Sequence, residues 1–536
     1  MAYVITQNCC KDASCVPVCP VDCIRPTGGA ALAAAEMLYI DPEACIDCGA
    51  CMEECPVGAI DYVDDLPPSQ ARFADINAAY FEQHQEETDG PWVEQQHSPV
   101  AAGALRVAIV GTGPAACYAA ADLIAVDGVE ISMFERLPTP FGLIRAGVAP
   151  DHQATKAVVG LFDRALASTR AQCYFNVEVG QHISHDELLQ HHHAVIYAVG
   201  ASSGRTLAIP GADMTGSHPA ANFVGWYNGH PDHADHQFDL ESSRAVILGN
   251  GNVALDMARV LLADRQHLAA TDIAEHAFNA VAQSGIEEVV IIGRRGPRDA
   301  AFSVGEFLAL AHLDGVDVAI DCAPSSLDPS DGDDMITKTK LQLCREYAET
   351  PNHPGNKTIV FRFHSTPLEV LGSGRAEGVR VSRDGVTDDL AAGLVLHSIG
   401  YSGRPIPNLP FDAATATVPN DGGRVVDDAG APLPGVYVTG WIKRGPRGVI
   451  GSNRMCAAET VAALLADFNA GVLPDTPRPE RTALDSLMAE RGAEPVDWQG
   501  WKRIDRAERV RGERYTRPRN KFLAVKEMTD AAAERM

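Results

Sequence analysis

Cysteine spacing marks the first chemistry in this chain. Residues 45–56 read Cys45-Ile46-Asp47-Cys48-Gly49-Ala50-Cys51-Met52-Glu53-Glu54-Cys55-Pro56, an unbroken C-x2-C-x2-C-x3-C-P run. Three closely spaced thiolates hold three irons of one cubane, and the fourth cysteine, next to proline, reaches a second cluster. Zinc sites use paired ligands across a longer spacer, so zinc is the weaker reading. An earlier stretch, residues 9–23, carries Cys9, Cys10, Cys15, Cys19 and Cys23 but no clean C-x2-C-x2-C. Nine of the 14 cysteines thus fall in the first 55 residues. With no export signal in front of it, such density speaks for metal or redox chemistry before disulfides. Cys117, Cys173, Cys322, Cys344 and Cys456 are scattered and read as core thiols.

Glycine turns supply the second chemistry. The run Leu105-Arg106-Val107-Ala108-Ile109-Val110 breaks into Gly111-Thr112-Gly113-Pro114-Ala115-Ala116. Gly111 permits the tight turn, Gly113 lets the backbone approach a pyrophosphate, and Ala116 lets helix and strand pack closely. The helix that starts at Pro114 and Ala115 offers free N–H groups to the anion. Glu135 ends the next apolar run, where an acid would hold a ribose hydroxyl. A second turn follows in Leu248-Gly249-Asn250-Gly251-Asn252-Val253-Ala254. Beyond the next predicted strand, 287–292, stand Arg294 and Arg295, where an NAD site tends to carry an acid. Paired guanidiniums suit a 2′-phosphate, so the second turn is assigned NADPH and the first is left for FAD. The bland alternative for the arginines is a solvated basic turn. His191-His192-His193, at a helix end, suits solvated imidazoles better than a metal site.

The first stretch resembles bacterial two-cluster ferredoxins, in Val21-Asp22-Cys23-Ile24, Met37-Leu38-Tyr39-Ile40-Asp41-Pro42 and Ile76-Asn77-Ala78-Ala79-Tyr80-Phe81 as well as in the cysteines. The resemblance implies Cys19, Cys45, Cys48 and Cys51 on a [4Fe–4S] cluster. Cys9 (or Cys10), Cys15 and Cys55 would bind the other. Its spacing is shorter than the usual seven-iron pattern. Three obvious ligands suggest [3Fe–4S], while Cys10 or Cys23 would complete a [4Fe–4S]; the nuclearity stays open.

From Leu137-Pro138-Thr139-Pro140-Phe141-Gly142-Leu143-Ile144-Arg145 to Asp151-His152 the chain resembles the adrenodoxin-reductase family of NADPH–ferredoxin reductases. The resemblance covers roughly residues 104–536. With the N-terminal cysteines, the whole resembles the ferredoxin-fused members in bacteria. It implies an α/β fold with two Rossmann-like dinucleotide-binding domains, glutathione-reductase-like, preceded by a small α+β two-cluster ferredoxin domain. It implies FAD on Gly111, Gly113, Pro114, Ala115, Glu135, Leu143, Val179, Trp441, Gly448, Val449 and Ile450. NADP would meet Asn250, Gly251, Asn252, Val253, Arg294, Arg295, Glu306 and Gly448. Trp441 stands where many two-dinucleotide flavoproteins have an acid, a feature of this branch. Asp151, His152 and Glu306 are the implied catalytic candidates, to orient the nicotinamide or handle a proton.

The implied reaction is hydride transfer from NADPH to FAD, then single electrons to the clusters. The acceptor is the chain's own ferredoxin module, an external ferredoxin, or a haem protein. A glutamate-synthase-small-subunit-like protein is the alternative enzyme, disfavoured by the Pro-Phe-Gly-Leu loop and the Gly-Trp-Ile-Lys-Arg-Gly-Pro segment. A thioredoxin-reductase-like exchanger would need a Cys-x-x-Cys in the second half, which has none. A ferredoxin carrier with a scaffold domain is disfavoured by the intact glycines of both turns.

Charge sharpens the partner. The net charge of −27 argues against nucleic acid, which needs a basic surface. Residues 1–84 hold Lys11, Arg25 and Arg72 against thirteen acids, −10 in that segment alone. Lys443, Arg444 and Arg447, beside the flavin segment, would attract that acidic module. No apolar run reaches membrane-spanning length and the start lacks a secretory pattern, so the chain is expected to be cytoplasmic.

These residues need elements to hold them. A ferredoxin domain is expected over 1–84, with a helix near its end, and an exposed linker over 85–103. The FAD domain should span 104–201 and 393–536, with strand–helix–strand at 174–200 and a return strand Leu394–Tyr401. The NADP domain should span 202–392. Residues 137–152 read as an irregular loop over the cofactor, 322–357 as polar and irregular, and the region after 475 as charged helix.

Overall fold

A computed structural model describes residues 2–84, 97–474 and 479–534. Most of the linker expected at 85–103 therefore lies outside the described residues. Its end is tethered: Val100 N–H donates to the Asp127 carbonyl (2.9 Å) and Gly103 N–H to the Gly128 carbonyl (3.1 Å).

The apolar run Arg106–Val110 is the central one of five parallel strands in a seven-stranded sheet. On one side lie Glu130–Glu135 and Ala171–Phe175; on the other lie Ala194–Tyr197 and Pro432–Val438, all parallel. Strands buried on both faces explain the near-continuous apolar sequence. The predicted strand–helix–strand at 174–200 is Ala171–Phe175, His185–His191 and Ala194–Tyr197. Its helix opens with a Ser184–Glu187 capping box.

The second sheet runs in the order Ser217–Pro219, Leu394–His397, Arg244–Leu248, Glu288–Ile292, Lys357–Arg362, Val316–Asp321, parallel throughout. This corrects a boundary. Leu394–His397, expected as the chain's return to the first sheet, lies beside Arg244–Leu248. A fully buried apolar strand fits either parallel sheet, and its sequence carries no mark of which. The crossing is made just beyond it, where Tyr401–Ser402 pairs with Ser203–Gly204.

Two segments read as irregular are partly helical. Met335–Glu349 is a helix capped by the Asp334 carboxylate on Thr337 N–H (2.7 Å), burying Leu341, Cys344 and Tyr347. Short turns of helix, Leu143–Ala146 and Gln153–Lys156, punctuate the loop after Glu135. The C-terminal segment is helical as expected, in Arg481–Glu490, Trp498–Glu513 and Val525–Ala533.

The N-terminal module pairs Tyr3–Ile5 with Ile60–Tyr62 and Ile24–Arg25 with Tyr39–Ile40, and adds the helix Arg72–Gln83. It is seated on both larger domains. Gly451 N–H donates to the Cys10 carbonyl (2.7 Å), and Lys340 Nζ meets Glu36 Oε1 (2.9 Å). No helix among the described residues is long and apolar enough to cross a membrane.

Candidate functional site

Both glycine turns fold the same way. Gly111 has φ +100°, and a Cβ there would stand 2.5 Å from the Ala198 carbonyl oxygen; Gly249 has φ +114°, with its Cβ 2.2 Å from the Ser398 oxygen. Only glycine passes across the neighbouring strand end so closely. Gly113 and Gly251 then start the helices Pro114–Ala125 and Asn252–Leu262, and neither helix has a side-chain cap. A Cβ on Gly113 would meet nothing within 4 Å. Two uncapped helix starts with open space at the glycine are the donor set a pyrophosphate needs, so the residues present fit both dinucleotides.

Around the first turn, Glu135 closes its strand beside the glycines. Its Oε2 accepts from Thr112 N–H (3.2 Å) and Thr112 Oγ1 (2.7 Å), its Oε1 from Leu137 N–H (3.2 Å). Phe141 N–H donates to the Thr112 carbonyl (3.0 Å), which draws Gly142 and the Leu143 turn across Gly113. From the far side comes Gly440, whose Cβ would stand 2.6 Å from that of Ala115. Trp441 follows, its indole N–H donating to the Arg447 carbonyl (3.1 Å). Val179 is half-buried, against the apolar cluster that contains Val110 and Phe134.

A cavity of about 1220 Å³ joins the second turn to the ferredoxin module. Asn250–Val253, Arg294, Arg295, Trp441 and Gly448–Ile450 line it on the reductase, and Cys9–Lys11 on the module. Arg294 is exposed and makes no ion pair among the described residues; Arg295 reaches only Asp299, at 3.3 Å. One free guanidinium and one held only by a 3.3 Å ion pair, beside a glycine turn, suit a phosphate monoester.

Asp151, His152 and Glu306, far apart in sequence, do meet. The residue that gathers them, Arg259, escaped the sequence reading. Its Nε donates to Asp151 Oδ2 (2.9 Å), its Nη1 to Glu306 Oε2 (2.9 Å) and its Nη2 to Asp256 Oδ1 (2.7 Å), with His152 Nε2 2.7 Å from Nη2. The guanidinium is 4% exposed. His152, Asp256 and Glu306 bring ligand atoms within 4.8 Å of one another, a spacing that suits a cation. The Arg259 guanidinium bonds all three and supplies that charge. Burial works against ionisation of Asp151, but the Arg259 charge beside it outweighs burial and holds its carboxyl well below the usual range. Asp256 goes the other way: burial, with Glu306 and Asp151 nearby, lifts it to about 6 against the pull of Arg259.

The cysteines sort into two sets. Cys51 lies close enough to feel Cys45, Cys19 and Cys48, and Cys23 feels Cys19, Cys45 and Cys51. Cys15 instead feels Cys9 and Cys55 most among the thiols. Cys19 and Cys55 thus cross over between the two stretches. A small cavity is lined by Cys19, Cys23, Cys45, Cys48 and Cys51, with Val21 and Ile46 at its rim. The Cys9–Cys10 end instead abuts Gly451, and Arg454 Nη1 donates to the Asp12 carbonyl (2.7 Å).

Of the basic residues expected to attract the module, Arg447 is exposed and the other two are engaged elsewhere. Lys443 pairs with Glu459 (2.6 Å), and Arg444 Nη2 bonds Asn453 Oδ1 (3.1 Å). Docking falls to Lys340 and Arg454, which sequence position alone did not single out. The three histidines form no metal group among the described residues: His192 is buried with Nδ1 2.9 Å from the Leu188 carbonyl, and His193 Nδ1 accepts from Arg106 N–H (2.9 Å).

Comparison with known proteins agrees with this anatomy. A 4Fe-4S binding domain matches residues 38–61, and a pyridine nucleotide-disulphide oxidoreductase domain matches residues 105–340. A probable ferredoxin/ferredoxin–NADP reductase of Mycobacterium tuberculosis is 49% identical over 557 residues, covering 99% of this chain and 95% of that one. The mitochondrial NADPH:adrenodoxin oxidoreductase of Salvelinus fontinalis is 37% identical, covering 80% and 92%. Among solved structures, FprA of M. tuberculosis in complex with NADPH superposes with a TM-score of 0.76 at 41% identity, over 80% of this chain and all of that one.

Proposed function

The chain belongs to the ferredoxin-fused ferredoxin–NADP reductases, and we propose that it draws electrons from NADPH, passes them to its own N-terminal module, and delivers them to a separate acceptor protein. Bound FAD would supply the exchange between a hydride from NADPH and single electrons, the form in which iron–sulfur clusters accept them. The protein supplies position and field. Gly111–Ala115 and Glu135 hold FAD; Asn250–Val253, with Arg294 and Arg295 at the 2′-phosphate, hold NADPH. Arg259 fixes Asp151, His152 and Glu306 at the end of the cleft, where His152 and Glu306 border the nicotinamide position and orient it. Trp441 and Gly448–Ile450 separate that position from the module.

The observation that carries this reading is one cavity lined together by the second glycine turn, Trp441, Cys9 and Cys10. It makes the Cys9, Cys15 and Cys55 set the inner relay. The Cys19, Cys45, Cys48 and Cys51 set is the outer one, with Cys48 exposed. Around that outer set Ile46 is 58% exposed, Met52 44% and Val21 38%, ringed by Asp22, Glu43, Asp47, Glu53 and Glu54. Of the module's three basic residues, Lys11 is buried and Arg72 pairs with Glu346 of the reductase. The outward face keeps Arg25 alone, so it suits an acceptor with a basic rim around an apolar spot.

Anaerobic NADPH should bleach flavin absorbance and then cluster absorbance; no change in either overturns the reading. Arg294→Ala with Arg295→Ala should raise KM for NADPH roughly ten- to a hundredfold with little change in kcat, at about 1.5–3 kcal/mol for a charged hydrogen bond. Unchanged preference for NADPH over NADH would dispose of the arginine assignment.

A further inference from the structure

The two cysteine stretches are copies of each other, 36 residues apart. Cys9, Cys15, Cys19, Pro20, Val21 and Ile24 match Cys45, Cys51, Cys55, Pro56, Val57 and Ile60. The backbone repeats with the sequence. Lys11 and Asp47 share a left-handed conformation (φ +59° and +56°), as do Ala13 and Gly49 (+62° and +75°) and Asp22 and Gly58 (+50° and +55°). Val16 N–H donates to the Ala13 carbonyl as Met52 N–H does to Gly49, both at 3.1 Å. Cys23 N–H donates to Cys19 Sγ (3.4 Å) as Ala59 N–H does to Cys55 Sγ (3.2 Å).

In this register Cys48, the second ligand of its run, faces Asp12. The first stretch is then C-x2-D-x2-C-x3-C-P, with the spacing of the second and one ligand changed. Cys10 falls opposite Ile46 and Cys23 opposite Ala59, both at positions that hold no metal in the intact copy. The two left-handed residues that flank Cys48 have counterparts flanking Asp12.

We infer that Asp12 is the fourth protein ligand of the inner cluster, with Cys9, Cys15 and Cys55, so that this site holds a [4Fe–4S] cluster through three thiolates and one carboxylate. Asp12 is 6% exposed. Its carboxylate lies close enough to act on the thiols of Cys9, Cys10, Cys15 and Cys55, as Cys48 does on Cys51 in the other copy. Oδ2 is held by Ser14, through its hydroxyl and its N–H (3.3 Å). Among the described residues Oδ1 has only the Cys10 Sγ, at 3.9 Å, which leaves it for a metal. That division, one oxygen oriented by a neighbour and one left to bind, is the usual arrangement around a ligating carboxylate. An oxygen donor is harder than a thiolate and holds iron less firmly in such a site. The Asp12 corner is therefore the one from which iron leaves first. This inference rests on the reading that the module holds two clusters.

The test is iron analysis and electron paramagnetic resonance on anaerobically reconstituted full-length protein. Wild type should hold two cubanes. Asp12→Asn should hold one iron fewer and show the oxidised [3Fe–4S]+ signal, while Cys10→Ser should match wild type. Asp12→Cys should keep the full iron count but change the inner cluster's reduced spectrum. Wild type and Asp12→Asn with the same iron count and signals would overturn the proposal, as would loss of the iron in Cys10→Ser instead. If Asp12→Asn does not assemble, an Asp12→Cys spectrum identical to wild type overturns it. Absence of a cubane on the Cys45 set in wild type would overturn the two-cluster reading itself, and the proposal with it.

Discussion

Arg259 serves three carboxylates with one charge, and that imbalance decides how the site titrates. Asp151 and Glu306 bond it directly, and Asp256, one helical turn earlier on the same helix, takes the fourth position. The Asp256 carboxyl, lifted to about 6 from the ordinary 3.8, keeps its proton longer in the folded protein than in the unfolded chain. Its contribution to stability is full below about pH 4 and is lost as pH rises through about 6. Asp256→Asn, which stays neutral, removes that loss. Unfolding in urea at pH 4 and pH 6.5 should show the variant gaining up to about 3 kcal/mol on wild type across the interval. A constant difference between the two would show that Asp256 does not titrate there. Asp151, His152 and Glu306 were legible because they stand in segments that resemble a known family. Arg259 and Asp256 were not. In Asn252–Leu262 they read as the polar face of an amphipathic helix, and only the fold turns that face inward against the 149–153 loop.

At the scale of elements, the C-terminal helix Trp498–Glu513 shows what composition conceals. It is strongly charged, and in sequence it carries no function. Yet Glu508 is fully buried, its carboxylate taking both terminal nitrogens of Arg145 (2.9 and 2.5 Å), Arg519 Nη1 (3.2 Å) and Phe522 N–H (3.1 Å). Arg145 also lies over the Trp501 ring, 5.4 Å from its centre. The Arg145 turn is the one drawn across Gly113, so the helix pins the loop over the first dinucleotide site. Glu508→Ala leaves Arg145 without its counter-charge, while Arg519 keeps Asp505 (2.8 Å), and should cost about 3–5 kcal/mol. A lowered Tm together with faster release of flavin, followed by its fluorescence, is the expected pair of results. A lowered Tm with unchanged flavin release would confine the helix to stability. Sequence could not show this, because the partners stand 363 residues apart and periodicity reports only neighbours. The Leu394–His397 strand was misplaced for a related reason. Its burial on both faces was plain, but which sheet buries it is a property of topology.

On the scale of the whole molecule, the reductase and its electron carrier share parts. Glu36 of the module accepts from Val304 N–H (2.7 Å) at the start of Val304–Ala309, the helix that carries Glu306 and has no side-chain cap of its own. Gln83 does the same for Met335 N–H (2.8 Å) at the next long helix. Docking thus completes two helix ends of the NADP domain and couples the module's seating to a site residue. The general attraction of an acidic module to a basic reductase was legible in the charge count. The contact residues were not, because several of the basic residues near the flavin are already paired within their own domain. Of the ion pairs across this interface, Glu36–Lys340 is more buried than Arg72–Glu346, with Lys340 9% and Glu36 20% exposed, and is the one to test by charge. Lys340→Glu sets two carboxylates against each other and should slow cluster reduction by NADPH at least about tenfold, since close charge pairs couple by more than 1.4 kcal/mol. NADPH-to-dye turnover, which bypasses the module, should change far less. Adding Glu36→Lys to that variant restores the pair in reverse and should recover much of the loss. Recovery would locate the effect in docking. Equal slowing in the single and double variants, followed by stopped-flow absorbance, would assign it instead to the folding of the Met335–Glu349 helix.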